Sequence, residues 1–235
     1  DRNEYLDWVV SLAHEWKRIT KSNSSIFVFC DEKMEAYIQV RLDEIFLLLN
    51  KIVWFKRNNL PQKNAHLLRT FAPMTERALF YTTQYDSTGW EAVKLDMNNF
   101  MPLREYFKEF QSALGMSKKQ IVERIGQRAD HAFRYDSTQW DLPTEETYME
   151  LCALHPAKPR EYEALRLEYE ALRRPFNADT KTWDVLEYPI IGGDENTEHP
   201  TTKPLSLYRR ILSVITNEGQ TVLDCCMGSG TAGVV

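Results

Sequence analysis

The sequence predicts an α/β fold interrupted by an all-helical insertion. Three observations lead there. Short runs of β-formers alternate with amphipathic helical patterns over residues 1–85, residues 86–180 carry helical patterns and no convincing strand, and residues 181–235 return to a helix followed by an apolar stretch and a glycine turn. Strand-helix-strand alternation implies a parallel, doubly wound sheet with helices on its faces.

Taken in order, Tyr5, Trp8, Val9, Leu12, Ala13, Trp16 and Ile19 recur at helical spacing, and the polar run Lys21 to Ser25 closes that helix. Ser25 to Asp31 is a short apolar run that reads as a buried strand. A helix over Glu32 to Asp43 follows, then strands over Phe46 to Phe55 and Arg77 to Thr83, with a polar stretch near Lys56 to Asn64 between them. Asp31 ends its strand where open α/β sheets bind ligands, which makes it a site candidate. The competing reading is a turn carboxylate that caps the next helix.

In the insertion, Leu103 to Gly115 reads as a helix closed by glycine, and Ser117 to Gly126 as a second with Ser117 and Gln120 spaced for a capping box. A third, over Arg128 to Tyr135, follows a tight turn, and Pro143-Thr144-Glu145-Glu146 starts a fourth. The run from Leu114 to Gly126, with Pro-Thr-Glu-Glu after it, resembles repressor-type helix-turn-helix motifs. The third helix is then the reader. Gln127, Arg128, His131, Arg134 and Gln139 become candidates for base edges or phosphates, and Lys118, Lys119 and Arg124 for the DNA backbone. The alternative is a helical insertion that packs on the core and binds nothing. Ala129, Ala132 and Phe133 suit the buried side of the third helix, and Trp140 suits packing beneath the Pro143 helix start better than stacking on a base. Further on, Tyr162, Leu165, Tyr169 and Leu172 share one face of a bracing helix that carries a seven-residue repeat. The echo between Tyr85–Trp90 and Tyr135–Trp140 is too brief to be a structural repeat.

At 43% hydrophobic and 12% aromatic residues the chain can bury a large core, which excludes a disordered class. No apolar run reaches membrane-spanning length and the first residues do not resemble a secretory signal, so an intracellular protein is expected. The four cysteines, Cys30, Cys152, Cys225 and Cys226, lack zinc-ligand spacing and read as reduced thiols. The net charge of −5 argues against nucleic acid only at first sight. Between Ser117 and Arg134, Lys118, Lys119, Arg124, Arg128 and Arg134 face only Glu123 and Asp130, whereas Asp141 to Glu170 is strongly acidic, so one face can be basic.

The last residues carry the clearest chemistry. Val222-Leu223-Asp224 reads as a buried strand feeding the turn Gly228-Ser229-Gly230-Thr231, and a helix from Thr231 would aim backbone N–H groups at an anionic ligand. Such a turn alone also occurs as plain packing. Upstream stands His199-Pro200-Thr201-Thr202-Lys203-Pro204, then the helical pattern Leu207, Ile211, Leu212, Ile215. This order of motifs resembles the cofactor-binding end of the DNA amino-methyltransferases, which use S-adenosylmethionine. The likeness covers most of the chain and points to the permuted class, whose catalytic half precedes the target-recognition part and whose cofactor motif comes last.

The resemblance implies a Rossmann-like methyltransferase sheet, with residues 1–85 as the catalytic half, 86–180 as the target-recognition insertion and 181–235 as the cofactor end. It implies that Asp224, Cys226, Gly228, Ser229, Gly230 and Thr231 line the cofactor pocket, that Thr201, Thr202 and Lys203 approach the methionine carboxylate, and that Asp31 lies near the same pocket. It further implies double-stranded DNA as partner, a cognate restriction endonuclease, a bacterial or phage-encoded cytoplasmic protein, and methyl transfer to the amine of a flipped base. Adenine is the expected target, with cytosine as the alternative; a DNA-binding regulator on a decayed scaffold, or methylation of RNA or protein, are further alternatives. Two departures stand out. Cys225-Cys226 replaces the usual Pro-Phe, and no Asp-Pro-Pro-Tyr or close variant occurs. The catalytic loop is therefore expected before Asp1, and residues 1–235 alone are expected to be an inactive internal piece.

Overall fold

The computed structural model describes residues 1–57, 67, 69–83, 99–155, 159–191, 199 and 201–235. Most of the polar stretch before Asn64, the Tyr85–Trp90 echo, the start of the insertion at Asp86, and Glu198 and Pro200 lie outside the described residues. The chain divides into two compact units, Asp1–Tyr85 with Arg174–Val235, and Asp86–Arg173.

In the first unit, helix α1 (Arg2–Ile19) leads into strand β1 (Ser25–Cys30), helix α2 (Glu35–Leu42), strands β2 (Leu47–Lys56) and β3 (Thr75–Thr82), and, after the insertion, strand β4 (Val185–Tyr188) and a helix over Leu205–Ile215. The sheet order is β1-β3-β2-β4. It is mixed, which corrects the parallel sheet read from the alternation. β3 runs antiparallel to both β1 and β2, with Phe27 opposite Phe80 and Ile52 opposite Ala78, and a bulge near Leu48 and Asn50; β4 runs parallel to β2. β1 and β2 do point the same way around α2, but β3 runs against both and occupies the slot between them. β4 is short and half exposed, and its Val-Leu-Glu-Tyr carries too little pattern for the sequence to reveal it.

Both faces of the sheet are covered, which is why β1 reads as a continuous apolar run. Successive side chains point to opposite faces. Ile26, Val28 and Cys30, with Leu79 and Tyr81 of β3, face the core made by Leu6, Val9 and Ala13 of α1 and Ile38 and Leu42 of α2. Phe27 and Phe29 face the other way, onto Trp54, Leu207 and Ile211.

The second unit holds α3 (Met101–Leu114), α4 (Lys118–Ile125), a 3-10 helix (Gln127–Phe133), α5 (Glu145–Leu154) and α6 (Tyr162–Leu172); the helix over Leu205–Ile215 is α7. Gly115 ends α3 at φ +62°, and Ser117 and Gln120 close a reciprocal capping box on α4. The core is aromatic: Phe107 sits edge-on to Phe133, Trp140 and Tyr148, and Leu151 and Leu165 are fully buried. Ala129, Ala132, Phe133 and Trp140 are buried in it, and Tyr162, Tyr169 and Leu172 pack against it around Leu165. The third helix is corrected from α to 3-10. Gly126, at φ +106°, forces a sharp entry, and Arg134 already leaves the helical region. No helix among the described residues is long and apolar enough to cross a membrane.

Candidate functional site

The tail turn is held by backbone conformation. The expected strand at Val222-Leu223-Asp224 does not form: no described strand pairs with it, and Val222 and Leu223 stand exposed. Asp224 Oδ1 accepts the Cys226 N–H at 3.1 Å, and the Gly230 N–H donates to the Met227 carbonyl at 2.8 Å. Gly228 and Gly230 sit at φ +54° and +78°, a region that L side chains rarely adopt. A Cβ on Gly228 would lie 3.0 Å from two atoms of the His199 ring. Ser229 and Thr231 share a hydroxyl hydrogen bond at 3.1 Å. The expected helix from Thr231 is a single 3-10 turn, Thr231–Gly233, packed against α7.

The Thr201–Lys203 loop meets the turn through His199. The Thr201 N–H donates to His199 Nδ1 at 3.4 Å, and the Thr202 hydroxyl donates to the His199 carbonyl at 3.0 Å. Lys203 Nζ lies 3.2 Å from Glu76 of β3 and 4.9 Å from the centre of the Phe29 ring. Lys56 reaches the same carboxylate at 2.7 Å. Burial works to raise the Glu76 pKa, but hydrogen bonds and charge from Lys56 and Lys203 outweigh it, and the net shift is downward. The Tyr208 ring leans on Phe29, and burial, with Asp224 and Cys226 adding to it, pushes its hydroxyl up to about 12. Burial, then Cys30 and Cys226, raise Tyr5 of α1 as well. The C-terminal end of β1 and the tail turn therefore stand at one end of the sheet.

The structure thus brings Asp224, Cys226, Gly228 and Lys203 toward one another by way of His199, Phe29 and Tyr208. Asp31 is exposed at that same strand end and closes the turn that leads into α2: its carboxylate accepts the Lys33 N–H at 2.8 Å and its carbonyl accepts from Met34 and Glu35, while the N-cap position of α2 falls to Met34 with no side-chain bond. Sequence reading missed Glu76, Lys56, Phe29 and Tyr208 as partners of the site. Glu76 lies in an ordinary-looking strand far from Lys203 in sequence, and nothing in its neighbourhood marks it.

In the insertion, several cations proposed to touch DNA are held by neighbours. Arg128 makes a two-pronged contact with Glu150 at 2.5 and 2.6 Å and reaches Glu146 at 3.3 Å. Lys118 lies 3.0 Å from Asp130, which Arg134 also contacts; the hydrogen bond from Lys118, joined by Arg134 and opposed by burial, lowers the Asp130 pKa. His131 Nδ1 meets the Gln139 carbonyl at 3.0 Å. Lys119 has only a loose contact with Glu123 at 3.9 Å, and Arg124 and Gln127 are exposed with no hydrogen bond or ion pair among the described residues. Two hollows lie elsewhere: one of about 90 Å³ beside Phe27, Phe80, Phe176 and Arg210, and an open one of about 340 Å³ beside Lys108, Gln111 and Tyr135.

Comparison with known proteins agrees with this architecture. A family model described as DNA methylase matches residues 1–235. The type II methyltransferase M.HindIII of Haemophilus influenzae is 23% identical over 229 residues, covering 97% of this chain and 60% of its own length. The DNA adenine methyltransferase YhdJ of Escherichia coli is 22% identical over 233 residues, covering 98% of this chain and 58% of its own. The chain therefore spans about 60% of the length of these curated relatives. The crystal structure of an M1.HpyAVI-SAM complex shares the fold, with a TM-score of 0.52 at 20% identity, over 98% of this chain and 69% of that one.

Proposed function

Because the chain belongs to the family of DNA amino-methyltransferases, we propose that it works as an S-adenosylmethionine-dependent DNA methyltransferase whose target is the exocyclic amine of adenine. The observation that carries this reading is the contact of His199, which holds the Thr201–Lys203 segment, with the Gly228-Ser229-Gly230-Thr231 turn, where a Cβ on Gly228 would lie 3.0 Å from two atoms of the imidazole. Adenine is favoured because YhdJ, a DNA adenine methyltransferase by name, matches 98% of the chain.

The residues present suit the cofactor. Two positive-φ glycines in the Met227–Thr231 turn leave its backbone without side chains at positions 228 and 230, so a ligand can approach the main chain closely. Lys203 and Lys56 share one carboxylate, so their cluster keeps a net positive charge for the methionine carboxylate. When bound, S-adenosylmethionine supplies an electrophilic methyl group on a sulfonium centre. The chain's own part is placement: Thr201, Thr202, Lys203 and the turn fix the donor, Asp224, Cys226 and the end of β1 near Asp31 wall the site, and residues 86–180 recognise the duplex as the target-recognition part. Lys118, Lys119, Arg124, Gln127, Arg128, His131, Arg134 and Gln139 remain its proposed DNA-facing side chains, with Lys119, Arg124 and Gln127 the least committed to neighbours. A cognate endonuclease and a cytoplasmic setting belong to the same reading.

The test uses the protein expressed from its whole reading frame, with tritiated S-adenosylmethionine and genomic DNA that lacks methylation. Label recovered as N6-methyladenine is the expected outcome, N4-methylcytosine would move the target to cytosine, and neither binding of the cofactor by calorimetry nor incorporation would leave a DNA-binding regulator.

A further inference from the structure

The loop that follows the 3-10 helix in the insertion is built from the inside. Arg104 of α3 is only 2% exposed, and its guanidinium donates from Nη1 to the Tyr135 carbonyl at 2.7 Å and from Nη2 to the Ser137 carbonyl at 3.1 Å. It also lies 5.4 Å from the centre of the Trp140 ring, whose Nε1–H donates to the Ala132 carbonyl at 3.0 Å. Tyr135 anchors the other flank, its hydroxyl bonding to the Phe107 carbonyl and to Gln111, both at 2.9 Å. Among the described residues Arg104 has no ion-pair partner within bonding distance, and its Nε makes no hydrogen bond. Burial lowers the guanidinium pKa, with the charge of Asp136 acting against it.

Burying a cation this way is costly, and an apolar side chain of similar length would fill the space at less cost. What such a side chain would not do is hold two carbonyls two residues apart, and so fix the path of Tyr135 to Ser137. Bracing continues toward the surface. Ser137 Oγ accepts the Gln139 N–H at 3.1 Å, His131 meets the Gln139 carbonyl, and Arg134 donates to Gln139 Oε1. Asp136, Thr138 and Gln139 are thereby left exposed on a loop whose flanks are buried or bonded. A polar tip on a rigid support is how binding loops are made.

We propose that the Tyr135–Trp140 loop, rather than the 3-10 helix before it, determines sequence specificity, reading a base edge of duplex DNA through Gln139 with Arg104 as its positioning residue. This rests on the reading of the chain as a DNA methyltransferase. Three observations favour the loop over the helix: Ala129, Ala132 and Phe133 are buried, Arg128 is clamped by Glu146 and Glu150, and exposed Gln127 has no side-chain partner among the described residues to fix its direction, whereas Gln139 is braced by Ser137, His131 and Arg134. Because Arg134 occupies Gln139 Oε1, the carboxamide NH2 is the group left to donate, which suits a purine N7, guanine O6 or thymine O4 in the major groove.

The experiment is selection of a randomised double-stranded DNA library by the protein from its whole reading frame, followed by sequencing. Q139A, an exposed change that leaves the core intact, is expected to relax preference at one base pair by about tenfold, while binding to a scrambled duplex changes less than twofold. R104K, which cannot span both carbonyls, is expected to blur the same base pair, and a purely structural Arg104 would instead lower the melting temperature with preference unchanged. Wild-type enrichment of a sequence that Q139A and R104K both select equally well would overturn this inference alone. A wild type that enriches no sequence would overturn it together with the reading on which it rests.

Discussion

Two polar turns in this molecule are made rigid in opposite ways. The Tyr135–Trp140 loop is held by side-chain bonds to the helices around it, from Arg104 reaching in and from its own Tyr135 reaching out to α3, and its tip residues are free to vary in kind. The Asp224–Thr231 turn is held by its own backbone, with glycines at positive φ and a histidine ring against one of them. The first arrangement keeps shape while leaving the exposed tip open to change; the second admits almost no substitution at Gly228 and Gly230. A surface that must distinguish sequences gains from the former, and a turn that must approach an invariant ligand is suited to the latter.

The largest expected effect tests whether the helical unit's loop depends on the core beneath it. Phe107→Ala removes a fully buried ring among five aromatic neighbours, Tyr106, Phe110, Phe133, Trp140 and Tyr148. It should cost about 3–5 kcal/mol in urea unfolding. A loss under about 1 kcal/mol would mean that the loop is not built on this core.

Next comes the backbone-held turn. Gly228→Ala places a methyl 3.0 Å from the His199 ring at φ +54°, so a local cost of about 1–3 kcal/mol is expected. Calorimetry should show S-adenosylmethionine affinity falling by a corresponding factor while thermal stability of the helical unit holds. Adding His199→Ala sharpens the point: if crowding dominates, the double variant recovers affinity, and if backbone conformation dominates, it does not.

The smallest effect concerns the charge cluster beside that turn. Two lysines hold the Glu76 carboxyl below its ordinary range, so its contribution to stability is present above the unfolded-state value of about 4.3 and is lost as pH falls through the lower folded value. Glu76→Gln should cost about 1 kcal/mol near neutral pH and flatten this part of the acid limb. Denaturation curves between pH 3 and 7 that fall equally steeply in both proteins would show that Glu76 is not coupled to Lys56 and Lys203.

Much of this architecture was legible along the chain because it is local. The capping box at Ser117 and Gln120, the glycine stop at Gly115 and the apolar face of α6 each follow from spacing over one or two turns of helix. The order of the His199–Pro204 and Gly228–Thr231 motifs carried the family, since both are short sequences with a chemical reason for each residue type. Less visible was the kind of helix: the 3-10 character of Gln127–Phe133 goes with Gly126 at positive φ before it and Arg134 turning away after it, a balance that periodicity does not register.

By itself, then, the sequence determined most of the helices, three strands of the sheet, the two-faced burial of β1 and the family, because alternation, capping and short motifs are properties of neighbours along the chain. Only the tertiary structure decided that β3 lies antiparallel between β1 and β2, that Val222-Leu223 finds no strand partner among the described residues, that Glu76 is the carboxylate shared by Lys56 and Lys203, and that Arg104 is turned inward to hold a loop. Strand order depends on which edges are available for hydrogen bonding, and the partner of a charge depends on which side chains the fold leaves within a few ångströms of it. Neither quantity is written in the spacing of residues.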